Sequence, residues 1–73
     1  MRVQEALNMK PGAKVWIDYT PNKGHGNRVN CVGRIDLVDK TVKRNAYNVD
    51  YVFITVSYMG IQSTFPSFCL AKL

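Results

Sequence analysis

Apolar and polar positions alternate along most of this chain with a period of two, the signature of half-buried strands rather than helices. In "AKVWIDYT" Val15, Ile17 and Tyr19 share one face, while Lys14, Trp16, Asp18 and Thr20 share the other. In "RVNCVGRIDLVD" Val29, Cys31, Gly33, Ile35 and Leu37 alternate with Asn30, Val32, Arg34 and Asp36. In "YVFITVSY" Val52, Ile54, Val56 and Tyr58 line one side, and Tyr51, Phe53, Thr55 and Ser57 the other. Val, Ile, Thr and aromatic residues suit such pleated surfaces. Only the first nine residues suggest a helical turn, with Val3 and Leu7 four apart, and a turn that short must lie against the sheet to persist.

Breakers divide these runs. Pro11-Gly12 leads into the first strand, Pro21 to Asn27 forms a long loop, Lys40 to Asp50 a second connection, and Met59-Gly60 a tight turn. Thr41 to Arg44 either extends the second strand or begins a hairpin arm. Pro66 demotes the middle of the last segment to an edge or a short helical turn. The expected fold is all-β: five short strands in a small closed or nearly closed barrel, with a short N-terminal helical turn, forming one domain over residues 1–73. Closure is the simplest way for so few strands to manage their edges.

Composition narrows the picture. With 73 residues, 47% apolar and 21% charged, the chain is globular but buries only about 60% of its unfolded surface. A homo-oligomer would add burial. No apolar run approaches the roughly 20 residues of a membrane span, and Arg2 to Asn8 does not read as a signal peptide, so the expected compartment is the cytoplasm. Cys31 and Cys69, in no CxxC and near no second histidine, offer neither a zinc site nor a disulfide framework. Neither a metal nor another cofactor is expected.

Ten Lys and Arg against five Asp and Glu give a net charge of +5, which favours polyanionic partners: nucleic acid first, an acidic protein surface second. The bland alternative is charge kept for solubility. The cations group as Lys10 with Lys14, Lys23 with Arg28, and Lys40 with Lys43 and Arg44. The loop "NKGHGNR" reads as mobile and basic, with His25 at most a pH-sensitive contact.

The closing stretch "GIQSTFPSFCLAKL" resembles the end of Src-homology-3-like barrels, where Phe-Pro-Ser precedes a short helical turn and a final apolar strand. Phe65, Pro66 and Ser67 match, and Leu70 and Leu73 fit the last strand. The front half resembles the related KOW-type small barrels through "MKPGAKVWI", "PNKG" and "VGRIDLVD". The loop between the last two motifs is longer than the KOW pattern. The paired tryptophans of proline-peptide-binding relatives are absent, and Cys69 stands where their tyrosine is expected, which argues against that ligand. Small-barrel dihydrofolate reductases are similar in size and opening, but Ile61-Gln62-Ser63-Thr64 replaces their central Val-Gln-Ile-Tyr run.

Catalysis is not expected, because Glu5, Asp18, Asp36, Asp39 and Asp50 are scattered and His25 has glycine on both sides and no partner. Small barrels bind nucleic acid through a basic groove and exposed rings on which bases stack. Lys23, His25, Arg28, Arg34, Lys40, Lys43 and Arg44 are the expected phosphate contacts, with Trp16, Tyr51 and Phe53 for stacking; burial of these rings at a protein interface is the competing reading. The alternative function is a protein-binding adaptor or inhibitor acting on an acidic surface of an enzyme, as the resemblance to accessory barrels of phages and plasmids implies.

Overall fold

A computed structural model describes residues 1–21 and 28–73. The short helix α1 (Val3–Asn8) is followed by strands β1 (Lys14–Tyr19), β2 (Val29–Val38), β3 (Lys43–Arg44), β4 (Asp50–Tyr51), β5 (Phe53–Tyr58) and β6 (Ile61–Pro66). A 3-10 turn (Ser67–Cys69) then leads into β7 (Leu70–Lys72). Five strands form one antiparallel sheet in the order β6-β5-β2-β1-β7, and β3 and β4 form a separate two-stranded arm. The arm settles the choice left open for Thr41 to Arg44: these residues begin a hairpin.

The expected inward positions on β1 and β5 face the core, with Tyr19 and Tyr58 at the strand ends only partly buried. Val15, Ile17, Ile54 and Val56 are fully buried, joined by Ile35, Val52, Phe65 and Leu70, and Ala6 of α1 closes the core at one end. Val3, Leu7 and Met9 pack against the same cluster, so the helix survives through its contacts rather than its length. It ends before Pro11-Gly12, where Gly12 adopts a φ of 95° and donates to the Ile35 carbonyl at 2.7 Å. A residue with a Cβ would be strained in that conformation.

The ten-residue β2 serves two neighbours. From Val29 to Arg34 it pairs with β1, and from Arg34 to Val38 with β5. Gly33 lies at the changeover, and an added Cβ would overlap Val56 Cγ1 and sit 2.8 Å from Ile17 Cδ1. A bulge between Ile35 and Leu37 then shifts the register. Leu37, expected on the inner face, is 62% exposed for this reason, and Val38 packs on the core in its place. One extra residue reverses every side chain beyond it.

The all-β class, the five-stranded sheet and the N-terminal helical turn are those expected, but the hydrogen-bonded ring does not close: β6 and β7 remain the two edges of the sheet. Pro66 lacks an amide hydrogen, and the 3-10 turn carries the chain from β6 across to β1. The turn is fastened by Ser67, which is fully buried. Its amide donates to the Val52 carbonyl at 2.8 Å, and its hydroxyl accepts from the Val52 amide at 3.2 Å. Replacing Ser67 with Ala would strand a buried N–H, at a cost of about 1–3 kcal/mol. Urea unfolding of Ser67→Ala should show that loss as a lower midpoint with little change in slope.

Candidate nucleic-acid interface

Three aromatic rings meet where β4, β5 and the 3-10 turn converge. Tyr51 and Phe53 are two apart and share the outer face, because Val52 between them turns into the core. Their ring centroids lie 5.4 Å apart, edge to face. Phe68 of the 3-10 turn approaches Tyr51 from the other side at 5.5 Å, again edge to face. Such contacts hold each ring in place. Phe68 remains 51% exposed, so the cluster presents an apolar surface to solvent.

The β3–β4 arm brings charge to these rings. Lys43 is the direct cross-strand partner of Tyr51, and Arg44 that of Asp50. Opposite residues in an antiparallel pair share a face. Lys43 therefore accompanies the aromatic cluster, whereas Arg44 lies on the reverse of the arm, its Nε 2.9 Å from Asp50 Oδ1. That hydrogen bond, reinforced by the carboxylate's charge, raises the Arg44 pKa. Asp39 lies nearby: its Oδ1 accepts from the Thr41 amide at 2.9 Å, which holds its carboxyl below the usual range, with a smaller contribution from the charge of Lys43. Lys40 is exposed and makes no ion pair among the described residues. The densest cationic group of the sequence is thus split between two faces and partly offset by two carboxylates.

The arm itself is built on Asn45, whose side-chain oxygen accepts from the Tyr47 and Val49 amides at 2.9 and 3.0 Å. Asn48 takes a φ of 60°, a conformation asparagine tolerates well. Tyr47 at the tip is 86% exposed.

The remaining candidates lie elsewhere. Trp16 is on the outer face of β1 between Val32 and Ala71, two strands away from Phe53 and outside the ring cluster. Arg34 faces Lys14 across the β1–β2 pair, with its Nε 3.7 Å from Asp36 Oδ1. Asp36 Oδ2 in turn accepts from Ser57 Oγ and, at 2.9 Å, from Gln62 Nε2, so one carboxylate ties β2 to β5 and β6. Arg28 stands at the start of β2, on the wall of a separate cleft of 980 Å³. Lys23 and His25 lie outside the described residues. Sequence reasoning missed Phe68: it belongs to no alternating run, and only the turn after Pro66 carries it to Tyr51.

Among the described residues no three His, Cys, Asp or Glu side chains gather as a metal site, and no helix is long and apolar enough to cross a membrane. Cys31 and Cys69 are free and half-buried, and burial, followed by the charge of Asp18, pushes the Cys69 thiol pKa up. Comparison with protein-family models, curated proteins and solved structures yields no match. The candidate surface is therefore defined by its own geometry.

Asp36 gives the fold's stability a pH dependence. Hydrogen bonds from Gln62 and then Ser57, with the Arg34 charge, hold its carboxyl below the usual value. A carboxyl depressed in the folded state contributes stability above its unfolded pKa and loses it as pH falls through the folded value. Wild type should therefore melt above Asp36→Ala at neutral pH, and the gap should narrow as pH drops below about 4. Thermal melts of both proteins across this range check it.

Proposed function

We propose that this chain is a small, non-enzymatic nucleic-acid-binding barrel of the Src-homology-3-like or KOW type, acting as an accessory or regulatory protein on single strands. The observation that carries the reading is the register of Lys43 opposite Tyr51, which sets a cation beside the Tyr51–Phe53–Phe68 rings. Rings with open surface accept bases of any sequence, and a neighbouring ammonium suits the phosphate between them. Unpaired bases reach such a surface and stacked duplex does not, hence the preference for single strands. Lys40 extends the cationic side. Arg44 contributes less, being engaged by Asp50. The family resemblance draws support from the 3-10 turn that follows Phe65-Pro66 and leads into the last strand.

A second reading, a protein-binding adaptor or inhibitor docking on an acidic surface, is favoured by the arm. Tyr47, Val42 and Val49 are all exposed there beside Lys40 and Lys43. The two readings separate by polymer and salt dependence, since displacing counterions from phosphates makes affinity fall steeply with salt.

Fluorescence polarisation with labelled single- and double-stranded oligonucleotides at two salt concentrations tests the proposal. Single strands should bind more tightly. Phe68→Ala should weaken them by roughly tenfold or more, the scale of one lost base stack. Lys43→Ala should lower the salt slope by about one phosphate contact, and Trp16→Ala should leave binding unchanged. No binding at low salt, or full affinity in Phe68→Ala, would overturn the assignment.

A further inference from the structure

The cleft beside Arg28 is bounded by two strand edges that, among the described residues, lack partners within the sheet. On one side is β6, which pairs only with β5. On the other is the first part of β2, whose pairing with β5 begins only at Arg34. The lining runs through Ser63, Thr64, Phe65 and Pro66 without a gap, and through Arg28 to Cys31 likewise. Consecutive strand residues point to opposite faces, so the cleft follows the edges themselves instead of lying over one face. Backbone groups on such an edge form a template for another strand.

We infer that this cleft takes an extended peptide, added as a further strand alongside β6, with apolar side chains at alternate positions and a carboxylate near one end. Length, shape and charge each support that occupant. The six residues of β6 span about 20 Å at strand rise, and 980 Å³ lies at the upper end of the roughly 300–1,000 Å³ usual for ligand clefts. At the cleft, the part-exposed rings of Tyr19 and Tyr58 pack on the buried Phe65, with centroids 5.5 and 5.7 Å away, and form an apolar wall for every second side chain of an added strand. Main-chain hydrogen bonds supply affinity in this mode of binding, and pockets for alternate side chains supply specificity.

The charge is one-sided. Arg28 is exposed, lines the cleft, and is the one charged residue of the lining among the described residues. No residue from Tyr51 to Ala71 is charged, so β6 opposes neither sign, and it has no lysine or glutamate to repel an incoming strand. Pro66 at its end removes one donor and limits the usable edge to Ile61 through Phe65. This inference does not rest on the nucleic-acid reading, whose rings and cations lie around Tyr51.

The test is selection from a randomised heptapeptide library on the intact chain, with the winners mapped by amide chemical shifts and hydrogen exchange. Enriched peptides should alternate apolar and polar residues, carry Asp or Glu at one end, shift β6 and Arg28–Cys31, and slow exchange in β6. With Arg28→Glu, the same selection should exchange the acidic end for Lys or Arg. Several results would overturn the proposal. These are no enrichment, winners without the alternation, shifts confined to Tyr51 and the arm, or an unchanged acidic preference in Arg28→Glu. The same holds if β6 shifts with protein concentration alone, which would give the edge to a second copy, or if adenosine monophosphate displaces the peptides, which would give the cleft to nucleotides.

Discussion

The close approach at Gly33 is the contact on which the architecture depends. One strand has to serve two neighbours, and its changeover from β1 to β5 falls where Ile17 and Val56 press in around Gly33. Only a residue without a side chain lets the two halves of the sheet close over a shared core. With so few residues, that sharing is the economical way to bury Ile17, Ile35, Ile54 and Val56 together. Two further devices hold this arrangement: Asp36 bonds across three strands at the surface, and the buried Ser67 anchors the turn between the sheet's edges to the backbone at Val52.

The same division of β2 positions the two candidate surfaces. Because β5 joins only the later part of β2, the earlier part is left with a bare flank facing the cleft. The chain that links β2 to β5 is then free to project as the β3–β4 arm, which carries Lys43 to Tyr51. Phe68 reaches the same ring because Pro66 ends β6 opposite Phe53 and the 3-10 turn, held at Val52, carries it there. The aromatic surface is thus assembled from segments that the core does not need, and this leaves its rings half exposed.

Much of the fold was legible in the sequence. Alternation marked the inner faces of β1 and β5, Pro11-Gly12 and Met59-Gly60 marked turns, and Pro66 marked the short helical turn before the last strand. What escaped depends on register, which alternation alone does not supply. The bulge at Asp36 inverted Leu37 and Val38, and nothing in "RIDLVD" distinguishes an interrupted strand from a regular one. The cations Lys43 and Arg44 looked like one group because neighbours in sequence point apart in a strand, and only the pairing with β4 revealed Asp50 as a partner of Arg44. Tyr51 and Phe53 were found from their shared face, but Trp16 shares it only in a flat sheet lacking strand order. Phe68 needed a turn that no period encodes.

The uncharged stretch from Tyr51 to Ala71 has a further consequence, before the fold exists. It contains β5, β6 and their tight turn, a neutral hairpin rich in β-formers with no charged gatekeeper to discourage association with other chains. During synthesis this part emerges after the cationic segment up to Asp50, so its protection during those moments comes from strands already made. β2, tethered through the β3–β4 arm with its Lys43 and Arg44, is the first surface the hairpin meets. Chain order thereby acts as a safeguard against misassembly, one that a rearranged version of the same sheet would forfeit.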